Sequence, residues 1–593
     1  LAIYRQAMCA KALGDKKSEL KRYQQLFKHY STNKLAPEAK YQAGQIVVDE
    51  NPNLALKYFQ SVSKSNIDDD YKIAADYYKA RIAASKIRYS NKILSRAKVA
   101  GVEKSFRHYL QTVPDGRLAV SVAVNWKKFN PNIKSEDVIY LVRAYYLAGL
   151  YKDAMALVPK AKTDEVWALK ASSLYKLYDY QNVKNIVEEG VVKYSDNVDV
   201  SDYRRAVDDY VNLYDSQGDK LKYTTKLLSL AKGKKKDYIW NKKCSLVQSK
   251  DKFVCYRDLY KNFPDGDFAE NAMVQVFMIG VRNKNYQKCK DLAQEFLKKY
   301  PDSKFVPQVM FWAGKIEQTY YQSPKYSEYF QNIINNYPDS YYAYRAYWML
   351  KGVHSSTIPA ALEFKPVEYP YRYPDKNSVL YHLIEVQDYD MILKYTDDEF
   401  IKSWVEFQKG NYATSMIIAR EAMDKIKVKP PKTDLRWRLV YPQNYYKQVQ
   451  NYAAQYNNND ALMMAIIREE SSFNSDAQSG VGAIGLMQLM PSTAHDIGQK
   501  HGITFNTSYL FNPELNIRLG NLYYSTIKGM LNNMDVSAIA AYNGGIGSVT
   551  RWKSTFLYND TDEFVEQIPY DETKNYVEKV FRSYWNYTRI YQK

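Results

Sequence analysis

A turn motif that recurs at a fixed interval constrains the fold of this chain most strongly. The segments Phe263-Pro264-Asp265-Gly266, Tyr300-Pro301-Asp302-Ser303 and Tyr337-Pro338-Asp339-Ser340 lie 37 residues apart. Each closes one predicted helix and opens the next. A period close to that of tetratricopeptide repeats is typical of helix pairs that stack into an α-superhelical solenoid. We therefore predict a solenoid over residues 1–355, although the period is irregular before residue 260.

The composition also favours an all-α protein. The chain has 593 residues, which is too long for one hydrophobic core, so two to four domains are expected. Only 23 Gly and 20 Pro residues punctuate its amphipathic stretches. No apolar run reaches the roughly 18 residues that a membrane-spanning helix needs. We predict an all-α fold without a transmembrane segment.

Proline-rich stretches predict where the solenoid ends and the last domain begins. Residues 356–376 contain four X-Pro pairs, which disfavour helix, and Pro430 and Pro431 form a second break. We predict a solenoid domain at 1–355, a connector with a small helical linker domain at 356–432, and a final domain at 433–593.

The final domain contains a helix with two adjacent carboxylates in an apolar setting. The helix begins near Asp460, a suitable N-cap residue, and Leu462 and Ile466 follow at helical spacing. Glu469 and Glu470 both fall within its apolar arc. A carboxyl group held there is partly desolvated, which favours the protonated form. A carboxyl that is protonated at neutral pH can act as a general acid.

This region resembles the catalytic domain of the soluble lytic transglycosylases, which belong to the goose-lysozyme-like group. The first matching block is Glu470-Ser471, and the second is the Gly-Leu-Met-Gln-x-Met-Pro run at 485–491. Ala-Tyr-Asn-Gly-Gly at 541–545 and Ile-Pro-Tyr-Asp-Glu-Thr at 568–573, followed by Tyr576, complete the set. One Glu-Ser pair would mean nothing, but four blocks in the right order form a specific pattern.

The resemblance implies a mostly α, lysozyme-like catalytic domain that cleaves peptidoglycan. The family cuts the β-1,4 bond between N-acetylmuramic acid and N-acetylglucosamine and forms a 1,6-anhydro sugar without water. Glu470 matches its catalytic acid and base, whereas Glu469 departs from the usual Gln. No metal or cofactor is implied. The positions that match substrate-binding residues of the family are Ser479, Gln488, Met490, Tyr542, Asn543, Glu572 and Tyr576.

The resemblance also implies a cellular setting. We expect an exported, periplasmic monomer that acts on peptidoglycan glycan strands, with proteins of cell-wall synthesis or remodelling as further partners. The signal peptide is not in this chain, as in a mature or truncated product. The solenoid corresponds to a ring-shaped superhelix that would guide the strand. Cys244 and Cys255 either form a disulfide, as export would favour, or are ordinary buried thiols.

Three other functions are compatible with parts of the sequence. The protein could be a lysozyme-type peptidoglycan hydrolase, or a non-catalytic helical scaffold that binds the cell wall. A formal net charge of +19 also suits nucleic acid, an anionic membrane surface or a carboxylate-rich wall, or it merely keeps the protein soluble. We expect no nucleic-acid partner, because the basic residues are dispersed and no base-reading module is recognisable.

Overall fold

The computed structural model describes residues 1–88, 96–352, 362–368, 370–556, 558 and 560–592. Over these ranges the chain forms 33 α-helices and two 3-10 helices, Val158–Lys160 and Thr507–Phe511, and its extended pairings are isolated bridges. The prediction of an all-α fold is therefore confirmed. None of the described helices combines the length and the apolar character needed to cross a membrane.

Two compact units make up the chain, Leu1–Ala272 and Met273–Lys593. The division falls inside one helix, Ala269–Arg282. The predicted three-domain division stays a prediction, and its first boundary, at residues 355 and 356, lies outside the described residues. The described part of the predicted connector, 362–368 and 370–376, contains no helix.

In the first unit each helix except the last packs against the helix that follows it in the chain, as in a solenoid. Two apolar clusters, centred on residues such as Trp126 and Tyr203, fill the space between the helices. The helices are α1 (Ala2–Ala12), α2 (Lys16–His29), α3 (Ala36–Val47), α4 (Pro52–Ser63), α5 (Asp69–Arg88), α6 (Arg96–Thr112), α7 (Ala119–Phe129), α8 (Val138–Leu147), α9 (Tyr151–Leu157), α10 (Thr163–Lys176), α11 (Tyr180–Lys193), α12 (Val200–Val211), α13 (Gln217–Leu230), α14 (Lys236–Leu246) and α15 (Ser249–Asn262).

The recurring turn has the same backbone conformation at each of its three occurrences. Phe263, Tyr300 and Tyr337 follow their helices with φ of −130°, −126° and −129° and ψ of 66°, 60° and 47°. Each N–H donates to the carbonyl oxygen four residues back, and each carbonyl accepts from the N–H three residues on. The 37-residue repeat in the sequence is therefore also a repeat of structure.

A disulfide joins Cys244 of α14 to Cys255 of α15. Of the two alternatives for this pair, the structure contains the bond. Cys9 is free and exposed, and Cys289 is free and buried.

The second unit contains the end of the repeat region and all of the matched blocks. After α16 (Ala269–Arg282), in which the division falls, four helices that we call the arm helices come first. The arm helices are α17 (Tyr286–Lys299), α18 (Val306–Thr319), α19 (Tyr326–Asn336) and α20 (Tyr341–Leu350). The remaining helices are α21 (Val379–Glu385), α22 (Tyr389–Tyr395), α23 (Glu399–Gln408), α24 (Tyr412–Asp424), α25 (Arg436–Val440), α26 (Tyr446–Gln455), α27 (Asp460–Ser471), α28 (Pro491–Lys500), α29 (Pro513–Met530), α30 (Asp535–Gly544), α31 (Ile546–Thr555), α32 (Thr561–Gln567) and α33 (Asp571–Tyr591).

The long helix α33 holds this unit together. It packs against α27 and α30 on the side of the matched blocks and against α20 of the arm helices. Tyr584 and Tyr587 of α33 are almost fully buried, and the Phe581 ring stacks on Tyr344 of α20 at a centroid distance of 5.8 Å. Helix α33 therefore lies between the matched blocks and the arm helices and packs against both.

Buried ion pairs also connect α32 to the arm helices. Asp562 is 4% exposed and accepts from Lys315 Nζ at 2.7 Å and from Arg345 Nε at 2.5 Å. Lys315 also pairs with Asp560 at 2.6 Å. Although burial opposes the charge, Arg345 and Lys315 hold the pKa of Asp562 well below its usual range. Breaking such a buried pair is strongly destabilising because it leaves an uncompensated charge.

We predict that residues 433–593 alone are less stable than residues 273–593. The shorter fragment lacks Lys315, Arg345 and the aromatic cover of α20, so Asp562 and Phe581 lose their partners. The thermal midpoint of 433–593 should be lower by roughly 10 °C, which corresponds to a few kcal/mol for a domain of this size. Circular dichroism melting of both fragments is the measurement. Equal midpoints would show that the arm helices do not stabilise the last domain.

Candidate active site

Helix α27 places Glu470 in its last turn. Asn459, one residue before the predicted Asp460, is the N-cap, and its side chain accepts from the Leu462 N–H. The residues that follow are buried on all sides, so this is an interior helix rather than an amphipathic one. The chain turns sharply after the helix, because Ser472 and Phe473 both have positive φ, at 52° and 65°.

Glu470 is a partly buried carboxyl group with one direct partner. Tyr576 Oη of α33 donates to Glu470 Oε1 at 2.6 Å. Burial raises the pKa of Glu470 to about 7; the Tyr576 hydrogen bond opposes this, and the charges of Glu469 and Glu572 add to it. Burial also raises the pKa of Tyr576 well above its usual value, so the phenol remains a donor. A large share of Glu470 is therefore protonated at neutral pH, as a general acid requires.

The neighbouring Glu469 has a different environment. Its Oε1 accepts from the Arg468 guanidinium and from Ser583 Oγ of α33, the latter at 2.5 Å. Although burial opposes the charge, Arg468 and then Arg582 lower the pKa of Glu469. Arg468 is 3% exposed and lies over the Tyr441 ring at 4.5 Å. Glu469 is thus an ionised member of a buried ion pair.

Ser479 and Gln488 shape the loop between α27 and α28. The Ser479 N–H donates to the Ala483 carbonyl, and the Ala483 N–H donates to Ser479 Oγ, both at 2.9 Å. Gln488 has a φ of 46°, and its Nε2 donates to the carbonyls of Ala477 and Gly485 at 3.2 and 2.9 Å. Both side chains therefore make their hydrogen bonds within the loop and stabilise its conformation.

Asn516 of α29 holds the same loop in place through buried hydrogen bonds. This fully buried amide accepts from the Met487 N–H at 2.8 Å and donates to the carbonyls of Ile484 and Leu510 at 3.0 and 2.8 Å. Gly485 has a φ of 80°, and a Cβ there would lie 2.3 Å from Asn516 Nδ2. This glycine is therefore required for packing within the protein.

Tyr542 of α30 lies near the same loop, and its hydroxyl group bonds to the backbone of that loop rather than to Glu470. Its Oη donates to the Met487 carbonyl at 2.9 Å, and its ring packs on Tyr523 at 5.2 Å. Burial, and then the charge of Glu470, raises the pKa of Tyr542, so its phenol also stays protonated. The structure thus brings Tyr542 near Glu470, while Tyr576 makes the direct hydrogen bond.

The other predicted binding residues lie at the edges of the site. Asn543 Oδ1 accepts from Thr573 Oγ1 at 2.7 Å, which links α30 to α33. Met490, just before α28, is 39% exposed. Glu572 is exposed in the first turn of α33, and its charge contributes to the raised pKa of Glu470. These residues are available to a ligand, and their roles stay predictions.

Sequence reasoning did not assign a role to three residues that bind Glu469 or a predicted binding residue. Arg468 and Ser583 bind Glu469, and Thr573 fixes Asn543. A basic residue within an otherwise apolar helix was a sequence indication for Arg468, since a buried charge requires a partner. Nothing in the sequence distinguishes Ser583, whereas Thr573, to which no role was assigned, is the last residue of a matched block. Within the described ranges, no group of three or more His, Cys, Asp or Glu side chains is arranged to hold a metal ion.

Comparison with known proteins agrees with this geometry. Residues 447–565 match the family described as Transglycosylase SLT domain. The chain therefore carries a domain of this family, and the resemblance inferred from the four blocks is confirmed.

Individual relatives give the same result over a limited part of the chain. The soluble lytic murein transglycosylase of Escherichia coli K12 is 39% identical over 129 residues, which are 21% of this chain and 20% of that protein. A membrane-bound lytic murein transglycosylase C of Histophilus somni is 35% identical over 153 residues, 24% of this chain and 40% of that protein. The matches thus cover less than half of the length of these relatives.

Solved structures are similar over nearly the whole chain. Lytic transglycosylase Slt of Pseudomonas aeruginosa covers 97% of this chain and 93% of its own, with a TM-score of 0.62 and 16% identity. The 70 kDa soluble lytic transglycosylase of Escherichia coli covers 100% and 98%, with a TM-score of 0.53 and 14% identity. These likenesses show the fold, so the prediction of a helical superhelix followed by a lysozyme-like domain is confirmed.

We predict that substitution of the two adjacent glutamates changes stability in opposite directions. Because the folded pKa of Glu470 exceeds its unfolded value, the carboxyl group destabilises the fold increasingly as pH rises from about 4.5 to 7. Glu470→Gln should therefore stabilise the protein at pH 8 by on the order of 3 kcal/mol, and little at pH 4.

Glu469→Gln is the matched control for this prediction. It leaves the buried Arg468 without its counterion, and we expect it to destabilise the protein by about 3–5 kcal/mol at pH 8. Urea unfolding of both variants at pH 4 and pH 8 measures the two effects. The same sign for both variants at pH 8 would contradict the assigned environments.

Proposed function

We propose that this protein is a peptidoglycan lytic transglycosylase. It cleaves the β-1,4 bond between N-acetylmuramic acid and N-acetylglucosamine and forms 1,6-anhydromuropeptides without water. The observation that carries the proposal is the buried Glu470, with a pKa of about 7 and a Tyr576 hydrogen bond, inside a domain that matches the Transglycosylase SLT family.

In the first step, protonated Glu470 acts as the general acid. Its proton goes to the glycosidic oxygen as the bond to the anomeric carbon breaks, and N-acetylglucosamine leaves with a free hydroxyl group. Tyr576 donates to Glu470 Oε1 and so stabilises the carboxylate that forms. A positioned general acid of this kind contributes about 10²–10⁴-fold in rate.

In the second step, the same carboxylate acts as the base. It takes the proton from the muramoyl 6-hydroxyl group, whose oxygen attacks the anomeric carbon and closes the 1,6-anhydro ring. The proton returns Glu470 to its starting state, so one residue completes the cycle. The attacking hydroxyl is tethered to the sugar, and tethering is worth about 7–11 kcal/mol in the best intramolecular cases.

The remaining predicted residues form the substrate-binding part of the proposal. Glycan strands would lie along the loop and helix ends that carry Ser479, Gln488, Met490, Tyr542, Asn543, Glu572 and Tyr576. The names of soluble and membrane-bound relatives support a cell-wall enzyme, and we place it in the periplasm. The disulfide fits an oxidising compartment. Wall-synthesis or remodelling proteins as partners, and a monomeric state, complete the proposal.

A lysozyme-type hydrolase is the main alternative function. It needs a base that activates water on the other side of the sugar. Glu469 is a poor candidate for this base because Arg468 and Ser583 already bind it. Glu572 and its neighbour Asp571 are exposed and are the remaining carboxylates in the matched blocks. The products of the reaction decide between the two functions.

We predict that the products from purified sacculi are anhydro-muropeptides. Mass spectrometry should find them one water lighter than lysozyme products, with no new reducing ends. Digestion in heavy-oxygen water should leave the muramic anomeric carbon unlabelled, since the 6-hydroxyl group is the nucleophile. Label at that carbon in the main product would assign the protein to the hydrolases, and the absence of any cleavage would favour the scaffold alternative.

We predict that Glu470→Gln lowers kcat/KM at least about 10²-fold while glycan binding is retained. In the unaltered protein kcat/KM should fall as pH rises above about 7, because the acid loses its proton.

Glu469→Gln, assayed below its unfolding temperature, should retain most activity. The high-pH limb of its kcat/KM profile should move slightly to lower pH, because the charge of Glu469 contributes to the raised pKa of Glu470. A dead Glu469 variant beside an active Glu470 variant would reverse the assignment.

A further inference from the structure

A cluster of buried polar side chains ties the arm helices to the helix that carries Tyr576. At its centre is Glu566 of α32, which is 7% exposed. Trp312 Nε1 of α18 and Tyr342 Oη of α20 donate to Glu566 Oε1 at 2.9 and 3.0 Å. Lys574 Nζ of α33 donates to the other oxygen, Oε2. One carboxylate therefore joins the arm helices to α33.

Lys574 lies between the two residues of α33 that contact the candidate site. Thr573 donates to Asn543, and Tyr576 donates to Glu470. Thr573, Lys574 and Tyr576 fall within about one turn of α33. Holding Lys574 in place therefore also restricts how far this turn can rotate about the helix axis or slide along it. Charge-assisted hydrogen bonds in a buried setting are stronger than neutral ones.

The pair of Glu566 and Lys574 is ionised despite its burial. Burial opposes both charges, but their mutual attraction lowers the pKa of Glu566 and raises the pKa of Lys574. The hydrogen bonds from Trp312 and Tyr342 further favour the carboxylate. Trp312 and Tyr342 are thus the short neutral donors to this carboxylate, and Gln308 Nε2 of α18 adds longer contacts of 3.4 Å to both oxygens. Removing a short donor leaves the charged group incompletely satisfied.

We propose that Trp312 and Tyr342 are positioning residues for the candidate catalytic acid. They hold Glu566, which through Lys574 sets the position of Tyr576 against Glu470. The inference rests on the proposed function in so far as Glu470 is the acid of that reaction. It makes the arm helices part of the catalytic machinery, in addition to any role in guiding the glycan strand.

The contact of Tyr576 with Glu470 is sensitive to small movements. At 2.6 Å it is a short hydrogen bond, and a displacement of about 1 Å takes it beyond hydrogen-bond distance. The charged or titratable groups that act on Glu470 or respond to it are Glu469 of its own helix, Glu572 and Tyr576 of α33, and Tyr542 of α30. Of the groups that shift Glu470, only Tyr576 favours the carboxylate. Loosening α33 should therefore make Glu470 a weaker acid.

The test uses conservative substitutions in the full chain. Trp312→Phe and Tyr342→Phe each remove one donor to Glu566 and keep an aromatic ring in place. Each should lower kcat/KM at neutral pH by about 3–10-fold and move its high-pH limb upward by about half a pH unit, as expected when one hydrogen bond to a carboxylate weakens. Tyr347→Phe is the control, because Tyr347 lies on the same helix as Tyr342 but packs on Trp585 at 5.0 Å.

A double-mutant cycle separates positioning from general destabilisation. If Tyr342 acts through Tyr576, then Tyr342→Phe should add no further shift of the high-pH limb in a Tyr576→Phe background. An unchanged limb in well-folded Tyr342→Phe, or a shift that adds fully to that of Tyr576→Phe, would overturn the proposal.

A measurement without turnover keeps this test independent of the proposed function. Infrared difference titration of the protein against Glu470→Gln reports the protonated carboxyl of Glu470 directly. Its midpoint should rise in Tyr342→Phe and Trp312→Phe and remain unchanged in Tyr347→Phe. If digestion yields hydrolytic products or none, the proposed function fails while this titration still decides the positioning role. Identical midpoints in all three variants would refute that role even if anhydro products form.

Discussion

The hydrogen bond between Tyr576 and Glu470 is the interaction on which the rest of the site depends. It connects α27, which carries the candidate acid, to α33, which packs against both the matched blocks and the arm helices. A carboxyl group that must gain and lose a proton near neutral pH needs enough burial to raise its pKa and a donor to stabilise its charged form. Glu470 has both, since burial supplies the first and Tyr576 the second.

Four carboxylates of this unit, Glu469, Glu470, Asp562 and Glu566, are buried or partly buried and differ mainly in their partners. Glu469 and Asp562 are matched by guanidinium or ammonium groups, and Glu566 is matched by Lys574 with three neutral donors. These three are ionised structural links between elements. Glu470 alone among them has a neutral partner and a raised pKa of about 7. The contrast between adjacent residues on one helix shows how a counterion decides between a structural and a reactive role.

The sequence was sufficient for the fold class and for the apolar setting of Glu470, and insufficient for the partners of the buried carboxylates. Periodic turns such as Tyr300-Pro301-Asp302-Ser303 are local, so their chemistry predicts helix pairs without knowledge of tertiary contacts. The raised pKa of Glu470 could be anticipated because its helix is apolar around it. The partners of Glu566 could not, because Trp312 and Tyr342 lie more than 200 residues earlier in the chain. Likewise, Asn459 replaced Asp460 as the N-cap, since both residue types suit that position.

The neighbour-to-neighbour packing of the first unit has a consequence for how the chain folds. Contacts that are local in sequence form quickly, and repeat arrays can begin folding at any point and extend from there. Helix pairs of the first unit can therefore assemble one after another while the chain is still being synthesised. The second unit cannot finish in this way, because Lys315 meets Asp562 across 247 residues. Its arm helices lack their partners until α32 and α33 have been made, so misassembly is favoured during this interval.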